Sequence, residues 1–373
     1  MEGKTKGVIM LSAGGTGGHL FPAEALAHEL KGRGYTPVLV TDKRAERFTA
    51  GFPAGGIHVV PSATLASKNP VAVLRTAWTL FRGYRQSAKL IRQIRPLAAI
   101  GFGGYPTLPP MVAATAAGVP GIVHEQNAIL GRANRLLASR VQLIATGFRQ
   151  VGKAADTPTL ETGNPVRPMV SAVKDAAYPK RKASDRLRLV IFGGSQGARF
   201  FSEALPPALG KLSDAQRGRF SILQQAREED EADLRKAYAG LGIEAEIAPF
   251  FANMPEEISK AHFVIARAGA SSITELAVIG RPSLLVPLPG SLDGDQAANA
   301  IAMAEAEGAY VVKQAELDAD RLAGFLQLAL DEPEKLAGMA ANAKKTGIAD
   351  AARRLADCAE CVISGGDITA LKF

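Results

Sequence analysis

His19 closes the run Gly14-Gly15-Thr16-Gly17-Gly18-His19, directly after the apolar stretch Val8–Ala13. A histidine at the head of a helix is disfavoured as imidazolium by the positive end of the helix dipole, so its ring stays neutral and able to take up a proton. That is the chemistry of a general base. Glu125, within His124-Glu125-Gln126-Asn127, is the rival: from Arg47 to Ala155 it is the sole acid against thirteen basic residues. Each has a plainer reading. His19 caps, packs or contacts phosphate, and Glu125 is a buried structural carboxylate.

A second loop of the same design, Gly193-Gly194-Ser195-Gln196-Gly197-Ala198, follows Leu189-Val190-Ile191-Phe192. Glycines let the backbone turn tightly beside a ligand, and a helix N-terminus offers N–H groups to an anion. Ser195 would add a hydroxyl to phosphate oxygens there. Arg167, in Gly163-Asn164-Pro165-Val166-Arg167-Pro168, could supply a bidentate phosphate contact. Glu275, beyond the turn at Gly269 and Ala270, can accept both hydroxyls of a ribose, and Gln296 and Asn299, one helical turn apart, could read sugar hydroxyls. Asp293-Gly294-Asp295 has the D-x-D spacing of a metal site but reads as a loop, since helix N-termini already stand ready for phosphate.

Positioning these groups requires strands that end in glycine turns and helices that follow them. The first loop predicts a helix from Leu20 to Leu30, the second a helix from Ala198 to Leu212. The two halves share a further order: strand, glycine turn, helix, Gly-x-Pro, strand, polar loop. It runs through Gly101–Gly104, Gly118-Val119-Pro120 and His124–Asn127, and again through Ala268-Gly269, Gly280-Arg281-Pro282 and Asp293–Asn299. This pattern predicts an α/β chain of two tandem Rossmann-like doubly wound domains facing across a cleft. The prolines of 164–168 mark a linker between residues 1–163 and 169–345, and 346–373 forms a closing helix.

The net charge of +8 is unevenly placed. Residues 1–168 carry 20 Lys and Arg against 8 Asp and Glu, whereas 169–373 carry 24 against 28. The first domain is therefore built to meet something negative. Its densest segment is the helix predicted over 70–95, where Val73, Leu74, Ala77, Trp78, Phe81, Tyr84, Ala88 and Ile91 recur at helical spacing between stripes of Arg75, Arg82 and Lys89 and of Arg85 and Arg92. Such a helix suits an anionic membrane surface or, more plainly, a core-facing helix with a solvated basic face. No motif of a nucleic-acid binder accompanies the charge. Cys358 and Cys361, the only cysteines, make neither a disulfide framework nor a four-ligand zinc site and read as packing. No apolar run reaches the length of a membrane span, and a cytoplasmic protein is expected.

Taken together, Gly14–His19 with Phe21-Pro22, Gly101–Pro106, His124–Asn127, Gly163–Arg167, Gly193–Ala198, Gly269–Glu275 and Asp295–Ala300 occur in one order along the chain. In that order they resemble the MurG family of bacterial peptidoglycan N-acetylglucosaminyltransferases, which convert lipid I to lipid II. The resemblance implies the two-domain glycosyltransferase type B fold, with the last helix crossing back to the first domain. It implies inverting, metal-independent transfer from UDP-N-acetylglucosamine to the C4 hydroxyl of the N-acetylmuramoyl group, forming a β-1,4 link, with no cofactor. By the same resemblance Thr16, Gly17, Gly18 and Asn127 line the donor-sugar and acceptor side. Arg167, Ser195, Gln296 and Asn299, with Gly269, Ala270 and the ribose acid Glu275, take the donor, and Phe251 offers a backbone group to uracil. Gly14, Gly15, Gly103, Gly104 and Tyr105 hold the acceptor diphosphate, and His19 matches the family's base.

The basic helix falls where the family meets the membrane. That implies a peripheral protein on the cytoplasmic face of the inner membrane, with cell-wall synthesis proteins as further partners. The donor loop 288–295 departs from the pattern in lacking the basic or histidine residue that relatives often carry before the glutamine. Two alternatives compete. A UDP-N-acetylglucosamine 2-epimerase would need carboxylates to remove and return a proton at C2, which an acid-poor first domain supplies badly. A non-catalytic UDP-sugar scaffold would be expected to lack both His19 and Glu125.

Overall fold

Strands buried on both faces of a parallel sheet read as near-continuous apolar runs, and the stretches before both glycine loops take that form. The computed structural model describes residues 5–46, 49, 51–64, 69–150, 156–291 and 294–373, of which 194–198 are described by backbone alone. The chain divides into two units, Met1–Arg167 with Ala349–Phe373, and Pro168–Ile348.

Unit 1 contains β1 (Val8–Ser12), β2 (Thr36–Thr41), β3 (Gly56–Val59), β4 (Ala98–Gly101), β5 (Gly121–Glu125), β6 (Leu143–Thr146) and β7 (Thr159–Glu161), with helices α1 (Gly17–Gly32), α2 (Pro70–Ile94), α3 (Leu108–Ala116) and α4 (Arg132–Leu137). Its strands form one parallel sheet in the order β3-β2-β1-β4-β5-β6-β7. The chain order reverses between β1 and β4, and ligands of doubly wound sheets bind outside the carboxyl ends of the strands at such a switch. Ile9, Leu11, Ile100, Ile122 and Leu143 pack one face of the sheet against Leu20, Leu26 and Leu30 of α1. Met10, Ala99, Val123 and Ile144 pack the other against Leu90 and Ile91 of α2 and Met111 of α3.

Unit 2 repeats the scheme with β8 (Leu187–Phe192), β9 (Phe220–Gln225), β10 (Ala245–Ala248), β11 (Phe263–Ala266), β12 (Ser283–Leu285) and β13 (Ala309–Val311), in the order β10-β9-β8-β11-β12-β13. Its helices are α5 (Pro168–Ala172), α6 (Gly194–Gly210), α7 (Asp214–Arg217), α8 (Glu228–Gly240), α9 (Met254–Lys260), α10 (Ala270–Ile279), α11 (Asp295–Glu305), α12 (Ala319–Asp331) and α13 (Pro333–Thr346). The switch here lies between β8 and β11.

After Ile348 the chain returns to unit 1 as α14 (Ala351–Ser364). Leu355, Ala356, Cys358, Ala359 and Val362 join the core against α1. Arg33, at the end of α1, pins the contact through Glu29 (2.9 Å), Asp357 (2.7 Å) and Glu360 (2.7 Å).

Asn69 and Pro70 start α2 as cap and first residue: the Asn69 side chain accepts from the Val71 N–H at 2.9 Å. The helix does not bury the whole apolar stripe read from its sequence. Ser87, Leu90 and Ile91 face inward, as does Gly83, where a Cβ would lie 2.1 Å from the Pro61 carbonyl oxygen. Leu74, Trp78 and Phe81 instead stand 70%, 62% and 48% exposed, beside exposed Arg75, Arg82, Arg85 and Lys89. The stripe is thus divided along the helix, apolar to solvent in its first half and to the sheet in its second.

Candidate functional site

In unit 1 the adjacent strands β1, β4 and β5 deliver their carboxyl ends side by side. After β1 comes the first glycine loop. Gly15 adopts φ +83°, which favours glycine, and its N–H donates to Asp42 Oδ1 at 2.9 Å. Thr16 is the N-cap of α1, but its side chain makes no cap bond, and no acid occupies the first turn. The helix starts at Gly17 rather than Leu20, so Gly17, Gly18 and His19 are its first turn, where N–H groups lack helical partners. Asp42, just past β2, is the anchor that the sequence did not single out: it is 4% exposed and its second oxygen holds Arg44 Nε at 2.8 Å.

After β4, Gly103 (φ +85°) and Gly104 (φ +74°) bend the chain around the His19 ring. A Cβ on Gly103 would lie 3.4 Å from Cε1 of His19, and one on Gly104 3.2 Å from Cδ2 and 3.4 Å from Nε2. Tyr105 follows in a short turn, half-buried. The turn is braced by Thr107, whose hydroxyl donates to the Gly103 carbonyl at 2.6 Å.

β5 ends in His124 and Glu125 and is followed by Gln126, all buried, and half-buried Asn127. Both Glu125 oxygens are already taken: Oε1 accepts from the Asn127 N–H (3.0 Å) and Nδ2 (3.2 Å), and Oε2 from the Gly131 N–H (2.8 Å) and Asn134 Nδ2 (2.9 Å). The carboxylate holds the loop after β5 together. His124 is enclosed on every side, and burial pushes its ring down to about 4 although the Gly163 carbonyl opposes the shift. Gln126, which sequence reasoning passed over, lies 2.7 Å from Nδ1 of His19 through Oε1.

Asn164 and Pro165, expected as part of a linker, are buried in unit 1, as is Gly163 before them. The Gly163 oxygen meets His124 Nε2 at 3.0 Å, and Asn164 Nδ2 donates to the Gln126 carbonyl at 3.0 Å. Their polar groups complete the loop after β5, and proline composition alone gave no sign of that. Arg167, last in unit 1, stacks its guanidinium 4.3 Å from the ring centre of Phe21 on α1.

In unit 2 the second glycine loop ends β8, and α6 begins at Gly194, four residues before the expected Ala198. Ser195 lies in its first turn by backbone; its side chain lies outside the described residues. Gly269 is the N-cap of α10, Ala270 its first residue, and half-buried Glu275 lies farther along it. Phe251, half-buried, lies between β10 and α9. The pair on α11 divides. Gln296 Oε1 accepts from the Leu288 N–H at 2.9 Å and so shapes the loop it follows. Asn299, 1% exposed, places Nδ2 3.5 Å from the Ala268 oxygen, bracing the turn before α10 instead of standing open to a sugar. Asp293 of the D-x-D spacing lies outside the described residues; Asp295 opens α11.

Arg267 was also not foreseen. It is 5% exposed, contacts the Val286 carbonyl (3.2 Å) and Gln314 Oε1 (2.7 Å), and stacks 5.1 Å from the ring centre of Phe201. Burial lowers its guanidinium to about 10. Its one sequence signal is an arginine directly after a fully apolar strand and before Ala268-Gly269.

Residues 9–146 match the glycosyltransferase family 28 N-terminal domain, and residues 188–355 its C-terminal domain. A UDP-N-acetylglucosamine--N-acetylmuramyl-(pentapeptide) pyrophosphoryl-undecaprenol N-acetylglucosamine transferase of Sinorhizobium fredii is 55% identical over 368 residues, 98% of each chain. The protein of the same name from Brucella canis is 54% identical over 98% of this chain and 97% of its own. Among solved structures, MurG of Acinetobacter baumannii superposes with a TM-score of 0.77 at 27% identity, covering 95% of this chain and 99% of that one.

Proposed function

The chain belongs to the MurG family of glycosyltransferase family 28, and from that premise we propose how its residues divide the work of the reaction. It is an N-acetylglucosaminyltransferase of peptidoglycan synthesis with the two-domain glycosyltransferase type B fold, using UDP-N-acetylglucosamine as donor and lipid I as acceptor. The acceptor's C4 hydroxyl attacks the donor's anomeric carbon. A carbon–oxygen bond forms there as the bond to the UDP oxygen breaks, UDP departs with inversion, and the hydroxyl proton passes to the protein.

His19 takes that proton. The observation that carries the assignment is the setting of its ring: in the first turn of α1, against the side-chain-free surface of Gly103 and Gly104. Glu125, whose oxygens serve four N–H donors, shapes the loop instead. The first turn of α1 and the turn Gly103-Gly104-Tyr105 receive the acceptor diphosphate, with Thr16, Gly17, Gly18 and Asn127 along the sugars. In unit 2 the first turn of α6, with Ser195, takes the donor diphosphate, and Arg167 is a further phosphate-binding residue. Glu275 accepts the ribose hydroxyls beside Gly269 and Ala270, and the backbone at Phe251 meets uracil. Gln296 orders the loop around the donor sugar, with Asn299 supporting it from below.

We place the protein at the cytoplasmic face of the bacterial plasma membrane, docked peripherally by the first half of α2. Exposed Leu74, Trp78 and Phe81 beside Arg75, Arg82 and Arg85 support this. Among the described residues no helix is long and apolar enough to cross a membrane.

The test is transfer of labelled N-acetylglucosamine from UDP-N-acetylglucosamine to a short-chain lipid I analogue in excess EDTA. Labelled disaccharide lipid is expected, with His19→Ala lowering turnover by about 10²–10⁴-fold. No transfer by protein that still binds the donor overturns the proposal, and transfer lost only with EDTA overturns its metal-independent step.

A further inference from the structure

We propose that Gln126 is a positioning residue that holds His19 in the tautomer protonated on Nδ1 and bare on Nε2, an inference that rests on His19 as the base.

The argument begins at the buried end of the network. Gln126 is 3% exposed, and one end of its amide lies 2.9 Å from the His124 carbonyl oxygen. A carbonyl only accepts, so that end is the NH₂ group; turned over, two oxygens would face each other in a buried space. The second hydrogen of the same NH₂ points to His124 Nδ1 at 3.0 Å, which must therefore be bare. His124 then carries its hydrogen on Nε2 and donates it to the Gly163 oxygen at 3.0 Å. Every partner has one consistent role. The remaining end of the Gln126 amide is its oxygen, 2.7 Å from His19 Nδ1. An oxygen cannot donate, so His19 Nδ1 bears the hydrogen, and in a neutral ring Nε2 is left with its lone pair.

The orientation serves the reaction. Nε2 is the nitrogen beside the Gly103-Gly104 turn, where an added Cβ on Gly104 would stand 3.4 Å away, so the glycine keeps a side chain off that edge of the ring. A hydroxyl there finds an acceptor, whereas the opposite tautomer would present it with a donor. The amide has no charge, so it fixes the ring's orientation without stabilising the imidazolium as a carboxylate would.

Long-range ¹⁵N–¹H correlation of the imidazole nitrogens tests this in the full-length protein, which has five histidines; loss of signals in His19→Ala assigns the ring. In the wild type, the neutral form of the His19 ring should carry its hydrogen on Nδ1. In Gln126→Met, which keeps the length but removes the acceptor, that preference should vanish. Its kcat should fall by about 10- to 100-fold, on the scale seen when a metal-bound histidine loses its orienting partner, with donor KM within about twofold. Gln126→Glu retains an acceptor for Nδ1 and should keep the tautomer, while the oxygen it turns toward the His124 carbonyl should lower the thermal midpoint. A wild-type ring protonated on Nε2, or a tautomer lost in Gln126→Met at unchanged kcat, overturns the proposal. The underlying reading fails separately: if His19→Ala turns over like wild type, His19 is not the base, whatever its tautomer.

Discussion

The two carboxyl-end residues that could take a proton differ in what their neighbours already ask of them. Glu125 accepts four hydrogen bonds inside the fold, two on each oxygen. Replacing it by glutamine turns an NH₂ toward two N–H donors, and a buried donor left without an acceptor costs about 1–3 kcal/mol. Glu125→Gln should therefore lower the thermal midpoint of unit 1 while leaving most of kcat in the protein that stays folded. His19→Ala should do the reverse, and comparing midpoints with turnover for the two variants separates the roles. His124 adds a pH dependence of stability. Its ring titrates at about 4 in the fold against an ordinary value near 6.5, so between those values the unfolded chain binds the extra proton. The stabilisation is full above about 6.5 and is lost as pH falls toward 4, amounting to about 3 kcal/mol at most. Denaturation midpoints followed from pH 7 to pH 4 should decline, and less steeply in His124→Gln. His262, half-buried and also lowered to about 4, acts in the same direction in unit 2 with a smaller, solvent-weakened contribution.

At the scale of elements, the glycine turn after β4 and helix α2 each carry a test. Gly104→Ala introduces two faults: φ of +74°, which strains any L side chain, and a methyl pressed on the His19 ring at 3.2 Å. Gly118→Ala supplies the control, with φ of +78° and nothing within 4 Å of the new methyl. Both variants should lose about 1–3 kcal/mol of stability, yet only Gly104→Ala should lose kcat, by about tenfold or more. Equal kinetics in the two would detach the turn from His19. On α2, the first half leaves Leu74, Trp78 and Phe81 exposed. Changing Leu74, Trp78 and Phe81 together to serine removes about 1 kcal/mol each even at partial insertion, or roughly 100-fold in partitioning. Sedimentation with vesicles containing anionic lipid should show that loss, while turnover on a short-chain, soluble acceptor stays unchanged. Raising salt should weaken the remaining, basic part of the attraction.

Across the whole molecule, the tandem sheets were legible because buried parallel strands and glycine turns leave strong, repeated local signals: Val8–Ser12 before Gly14 and Leu187–Phe192 before Gly193. His19 was singled out by its place at the head of a helix, Glu125 by its charge among basic neighbours, and the apolar residues of α2 by their spacing. Gln126, Asp42 and Arg267 were not, since an uncharged amide or a polar residue at a strand end has no period, and its partners lie far off in the chain. The sequence by itself showed 346–373 only as a closing helix, and its return to the first domain was implied by the family resemblance alone. The apolar face of α14 is what makes the last segment part of unit 1: Leu355 is fully buried in the core containing Leu20, Leu26 and Leu30 of α1. Leu355→Ala leaves a cavity there and should cost about 2–5 kcal/mol. Arg33→Ala, which removes one cation from a partly exposed cluster of three acids, should cost about 1 kcal/mol or less. Because Leu355 stands 188 positions beyond Arg167 yet belongs to the same unit, its loss should be felt in the acceptor-side residues. Hydrogen exchange should accelerate in β1, α1 and β4 of the variant and stay unchanged in β8, α10 and β11. UDP-N-acetylglucosamine affinity should also hold. Equal acceleration in both sets of strands would mean that the two units open as one, and α14 would then support the whole chain.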